Sequence, residues 1–387
     1  MSAGKKFMLE LPLKVILTEG GTSNFISHKK KLLRIKMADN TEEYGIVLNQ
    51  FSPQSIQNMI LIDYISKLEI SMSEFGSKRQ EIMDLCKLMV YSVMYKQFDK
   101  EIFKGIIDTN CVRKHNRTHA GNLIDEKTHI SDKQLRAELS GKNVLIDQIR
   151  KAILSPIWKS VMSNKEYSME EKNVYFLMSE KFMNRLSLLN WHILVLFHKD
   201  ENFSEIVSQT RKILSRYMDK SRVADYISTM VMELALNSEN TNITKEAKKM
   251  FPGRDDLNML ILDPETRMKI VRALEAKRQL VFISWKLGGG STSIGKQGRL
   301  QITLYNRSDE FQEIKSTVDS AANAKANKKS LVDFYRDIPA GEEGTDLGMY
   351  YLSYLEDACK KVNVKFDSLV NQFASNDLIV ITLTFSF

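Results

Sequence analysis

Met232-Glu-Leu-Ala-Leu-Asn-Ser-Glu-Asn-Thr-Asn242 is the stretch whose reading decides the fold. It closes a run, Ser221 to about Asn240, whose apolar spacing predicts a helix. On a helix Glu233, Asn237 and Asn240 are spaced i, i+4, i+7 and share one face. One carboxylate and two amides on a single stripe cover a core poorly. They suit either a solvated face or the hold on a hydrated Mg²⁺, a hard cation that takes oxygen ligands and keeps several waters.

Further along stands Gly341-Glu-Glu-Gly-Thr-Asp-Leu-Gly-Met-Tyr-Tyr-Leu-Ser353, a glycine-rich turn running into a helix with Met349, Leu352 and Leu355 on its apolar face. Glycines ahead of a helix let backbone N–H groups approach a ligand, and the helix N-terminus favours an anion. The ordered pair, an acidic-amide helix and then a Gly-Thr-x-Leu-Gly turn into a helix, resembles the GHKL ATPase family. That is the fold of histidine-kinase catalytic domains, gyrase-type ATPases and anti-sigma-factor serine kinases. Glu233-Leu-Ala-Leu-Asn237 resembles its N box, and Gly344-Thr-Asp-Leu-Gly348 its second glycine box.

The flanking pattern extends the resemblance over Leu188 to Phe387. Trp191 to His198 reads as a strand and Asn202 to Met218 as a helix, the order of the anti-sigma-factor serine kinases. After the N box come a helix from Asp263 to Leu280, with Pro264 near its start, and a strand from Val281 to Leu287. A Gly288-Gly289-Gly290 turn and a strand from Arg299 to Tyr305 follow. In Asp377 to Phe387 the residues Ile379, Ile381, Leu383, Phe385 and Phe387 form one apolar strand face. The fold implied is α/β, a two-layer sandwich with a mixed sheet covered on one face by helices.

The resemblance implies site roles. Glu233 polarises the attacking water or hydroxyl, Asn237 holds Mg²⁺, and Asn240 lines the nucleotide. Gly344, Thr345, Leu347 and Gly348 shape the phosphate turn. Lys325 and Lys328, with Lys329, lie at the lid position, Asn323 to Lys329, which reads equally as a solvated segment. The cofactor implied is Mg·ATP, and the activity an ATPase or a serine- or histidine-type protein kinase. The family's Asp-x-Gly-x-Gly motif is degenerate: in Tyr305-Asn-Arg-Ser-Asp309, Tyr305 stands for the adenine-reading Asp, and Arg307 and Asp309 for the glycines. Asp346 also replaces a glycine in the second box. A carboxylate beside phosphates is unfavourable unless a cation bridges them. These departures point to the alternative of a pseudo-enzyme, a GHKL fold kept for binding another protein.

The six histidines, His28, His115, His119, His129, His192 and His198, include no His-Glu or His-Asp pair opening an amphipathic helix, which argues against an autophosphorylating kinase. Cys111, His115 and His119 would converge on Zn²⁺ if helical. Asn110, Asn116, Thr118 and Gly121 instead predict a basic loop there.

Three widely spaced cysteines, Cys86, Cys111 and Cys359, suit a reducing cytoplasm. No apolar run approaches 18 residues, so no membrane span is expected. The N-terminus lacks the apolar core of a secretory signal. A net charge of +8, densest over His28 to Lys36, favours acidic partners. Without interleaved aromatics, nucleic-acid binding through this surface stays a lesser alternative.

In the N-terminal half, Phe7–Thr18, Lys31–Met37 and Tyr44–Asn49 read as short strands. Ser55–Met72 and Lys78–Ile107 read as helices, as does Ser131–Leu154, halted at Ser155-Pro156. Ser168-Met-Glu-Glu171 is a capping box. The domains expected are a small α/β module over 1–125 that includes the basic loop, a helical connector over 126–187, and the GHKL-like domain over 188–387. The function implied is that of a cytoplasmic signalling or regulatory protein with another signalling protein as partner, and a homodimer is compatible with its amphipathic helices.

Overall fold

In the computed structural model, which describes residues 8–37, 41–288, 298–306, 327–336, 345–373 and 378–387, strands from both halves of the chain build a single sheet. β1 (Leu13–Leu17) leads through α1 (Glu19–Ser27) to β2 (Leu33–Lys36), β3 (Glu42–Leu48), α2 (Pro53–Leu61), β4 (Ile65–Met72) and α3 (Arg79–Ile107). Six helices follow: α4 (Asn110–Thr118), α5 (Asp132–Leu139), α6 (Asn143–Ser163), α7 (Met169–Asn184), α8 (Leu188–Leu196) and α9 (Phe203–Ser221). Next come α10 (Val223–Met250), α11 (Leu257–Leu262), α12 (Pro264–Ala276), β5 (Val281–Gly288), β6 (Arg299–Asn306) and β7 (Asn327–Lys329). The described elements end with α13 (Leu331–Arg336), α14 (Thr345–Lys361), β8 (Lys365–Phe373) and β9 (Leu378–Ser386).

The strand order is β2-β3-β1-β4-β5-β6-β9-β8-β7. The α/β class holds, with pairings among the described strands that are antiparallel throughout rather than mixed. The chain forms two compact units, 1–93 with 223–387 and 94–222, where the sequence reading cut after 125 and 187. The difference begins at β4. Ser55–Met72 is not one helix: α2 ends at Leu61, Asp63 turns the chain with φ 61°, and Ile65–Met72 pairs with β1 and β5. Leu68 and Ile70 alternate with Lys67, Glu69 and Ser71, a period-two signal that the apolar stripe upstream obscures.

Register sets the faces of the sheet. Leu68, Ile70, Ile283, Trp285, Ile302, Leu304 and Leu383 share one face, and none is more than 1% exposed. Against this sheet pack α10 on β5 and β6, and α13 and α14 on β8. Each such side chain contributes about 1.5–3 kcal/mol on burial. On the opposite face Phe282 stacks on Tyr305 at 5.4 Å, and Tyr305 donates to Glu69, which pairs with Lys14 at 3.0 Å. A second cluster joins Ile243 and Ala247 of α10 to Ile270, Val271 and Leu274 of α12, with Leu257 and Ile261 of α11 against it.

The helical unit, 94–222, centres on Phe98, Phe182 and Tyr217, whose rings meet edge to face at 5.1–5.8 Å. The expected strand Trp191–His198 is helix α8, capped by Ser187, whose Oγ accepts from Asn190 N–H at 3.3 Å. A short run apolar on every side carries no period to separate strand from helix. The Ser131–Leu154 helix is two, α5 and α6, and α6 continues through Pro156. Proline lacks the N–H that would reach the carbonyl of Ala152, and Arg211 donates to that carbonyl instead, at 3.2 Å. The capping box is present, with Ser168 Oγ accepting from Glu171 N–H at 3.1 Å and the Glu171 carboxylate from Ser168 N–H at 2.9 Å.

Candidate functional site

The helix read from Ser221 to about Asn240 is α10, which runs ten residues past Asn240, to Met250, because Ile243 and Ala247 give it a second apolar anchorage on α12. On α10 Glu233 and Asn237 are half-buried, while Asn240 is exposed. The predicted stripe therefore splits: Glu233 and Asn237 share one neighbour, and Asn240 is not brought to it.

That neighbour is Tyr335. α13, which carries it, starts at Ser330, whose Oγ accepts from Asp333 N–H at 3.1 Å and donates to the Asp333 carboxylate at 2.7 Å. Leu331 N–H donates to Ser368 Oγ of β8 at 3.2 Å, and the Leu331 side chain is fully buried. Tyr335, one turn on, is 2% exposed. Asn237 of α10 lies beside its hydroxyl. Burial first, and then the Glu233 charge, push the Tyr335 hydroxyl far above its ordinary range, so it stays protonated.

The start of α14 reaches the same point. Gly348 is buried in the first turns of α14, and α14 packs along α10. A Cβ at Gly348 would fall 2.5 Å from Cε1 and Cζ of Tyr335, so only glycine lets the ring lie on this backbone. Thr345 and Leu347 belong to the first turn of α14, as does Asp346. Lys328 lies in β7, in register with Asn371. Gly344, Lys325, Gly289, Gly290, Arg307 and Asp309 lie outside the described residues.

Glu233 is held above the usual carboxylate range by burial, which Arg79 partly offsets. A carboxyl raised in this way accepts a proton nearer neutrality, as a general base requires. Asn237 adds a neutral amide, whose oxygen is of the hard type Mg²⁺ takes. The donor chemistry thus fits the metal implied by the resemblance.

Tyr305, expected to stand for the adenine-reading Asp, faces away from Ile302 and Leu304, stacked on Phe282 and bonded to Glu69. The basic segment expected as a loop is helix α4, with Cys111 buried and the His115 and His119 rings stacked at 4.4 Å. The Cys111 thiol is pushed up to about 12 by burial and by Asp200, which suppresses the thiolate a metal would need. Among the described residues, no group of three or more His, Cys, Asp or Glu side chains is gathered to hold a metal ion.

Two contributors escaped the sequence reading. Tyr335 was signalled by Ser330-x-x-Asp333 opening a short helix with Leu331 and Tyr335 one turn apart. Glu239, beside Asn240, is fully buried and accepts from Phe75 N–H at 2.5 Å, from Gly76 N–H at 3.1 Å and from Arg267. It ties α10 to the turn before α3 and to α12, and so fixes where Glu233 and Asn237 stand.

No helix among the described residues is long and apolar enough to cross a membrane. No solved structure matches the chain. An uncharacterized protein of Treponema pallidum (strain Nichols) is 36% identical over 387 residues, covering 100% of both chains. Residues 4–387 match the Family of unknown function (DUF8084), and the chain belongs to that family.

Proposed function

We propose that this chain is a cytoplasmic signalling or regulatory protein that binds Mg·nucleotide between α10 and the start of α14, in a divergent GHKL-type arrangement. One observation carries the proposal. Glu233 and Asn237 from one motif and Gly348 from the other, far apart in sequence, meet at a single buried point around Tyr335. The layout supports it as well, since α10 precedes β5 and β6, α14 precedes β8 and β9, and these strands are neighbours in one sheet. In this reading Asn237 offers its amide oxygen to Mg²⁺, and Glu233 orients and deprotonates a water or hydroxyl. Gly348, having no Cβ, lets phosphate oxygens approach its backbone once the Tyr335 ring moves off it. Mg²⁺, when bound, would supply charge neutralisation for phosphoryl transfer, and the activity class is an ATPase or a serine- or histidine-type protein kinase. Three free, buried cysteines favour the reducing cytoplasm.

A second reading, a pseudo-enzyme that binds another signalling protein, is favoured by Tyr335 itself, whose ring fills the place where ligand would lie. Thermal unfolding with and without millimolar Mg·ADP and Mg·ATP separates the two. Ligand that binds only the folded state raises the melting temperature by mass action. The proposal expects a rise in the wild type that Asn237→Ala abolishes, whereas no rise at millimolar nucleotide leaves the pseudo-enzyme.

A further inference from the structure

We infer that Tyr335 is a built-in plug, a tyrosine that holds the nucleotide cleft closed until α13 withdraws. The inference rests on the nucleotide-binding proposal and names how that site is regulated. The ring is 2% exposed, lies directly on the Gly348 backbone, and places its hydroxyl near Asn237 and Glu233. A phenol is a costly filler for that position, because its hydroxyl must be desolvated next to a carboxylate. What the hydroxyl meets there is the pair of polar side chains that a hydrated metal and phosphate would use. The ring therefore stands in for ligand, and ring and ligand exclude each other.

α13 is built for such exchange. Its first turn is fixed, by the Ser330 cap and by Leu331 on β8, whereas its last turn carries the ring. Rotation about the fixed end withdraws Tyr335 without unpairing a strand. A binding-competent state populated only in part weakens apparent affinity by that fraction, and removing the plug restores it.

The test is calorimetric titration of Mg·ADP into the full chain and its Tyr335→Ala variant, with amide hydrogen exchange of the wild type alongside. The plug predicts that Tyr335→Ala binds at least about tenfold more tightly than wild type. In the wild type it predicts that the amides of Leu331–Arg336 lose protection at saturating Mg·ADP, a readout that does not depend on the variant folding. Wild-type binding with unchanged or weaker binding by a folded Tyr335→Ala overturns the plug and leaves the nucleotide site standing. So does unchanged or increased protection of 331–336. Absence of binding by both folded proteins overturns the nucleotide site, and the plug with it.

Discussion

Glu239 and Glu233 project from the same helix, and burial raises both carboxyls, but their partners differ. Glu239 is fully buried but has two backbone N–H donors and Arg267, which also reaches Glu74 at 3.1 Å. Glu239→Ala leaves those donors and a guanidinium without their acceptor, at a cost of about 3–5 kcal/mol that urea unfolding measures. For Glu233 the charge of Arg79 offsets burial in part, and its carboxyl is raised in the folded state. Between the unfolded value, about 4.3, and that raised value the folded chain holds more protons, so stability falls as pH rises. Glu233→Gln is therefore expected to raise the melting temperature at pH 7, with the gain closing as pH drops through about 4. A gain that persists unchanged in acid contradicts this. The stripe of Glu233, Asn237 and Asn240 was legible in the sequence, but its length was not. Seven residues of helix span about 10 Å, so a shared face does not mean a shared neighbour. Nothing in the local pattern around Glu239 announces partners at Phe75 and Arg267, which arrive from distant segments.

Among the elements, those with end signals were legible and those without were not. The Ser168 and Glu171 box opens α7 as read, and Pro264 opens α12 behind the Asp263 cap. α8 was taken for a strand because a nearly continuous apolar run carries no period. α6 was cut at Pro156 because the compensating donor lies on another helix. Arg211 supplies that donor to Ala152, which gives a double-mutant test. Arg211→Met is expected to cost about 1–2 kcal/mol in the wild-type background, as a lost hydrogen bond from a charged group. In a Pro156→Ala background the restored N–H satisfies the same carbonyl, so the cost of Arg211→Met is expected to shrink. Equal costs in both backgrounds would show that Arg211 acts elsewhere.

For the whole molecule, the sequence yielded the α/β class and the two motif helices, whereas the sheet was read in half. Strands β1–β3 were assigned to a separate module and the residues of β4 to a helix, yet β4 pairs with β5 through Leu68 and Trp285, and Ile70 and Ile283. Pairing between residues this far apart leaves no local trace, and the intervening helices of 94–222 hide it further. The two motifs were read from the sequence, and Tyr335 packed between Glu233, Asn237 and Gly348 was not. A ring packed between distant segments is recognisable only when its neighbours are known. The central claim is that this convergence is a Mg·nucleotide site. Calorimetric titration of Mg·ADP into the full chain, repeated without Mg²⁺ and with Asn237→Ala, tests it most directly. The account predicts saturable, one-to-one binding that needs Mg²⁺ and is lost in Asn237→Ala, while binding indifferent to both, or no heat at millimolar Mg·ADP with a folded wild type, would contradict it.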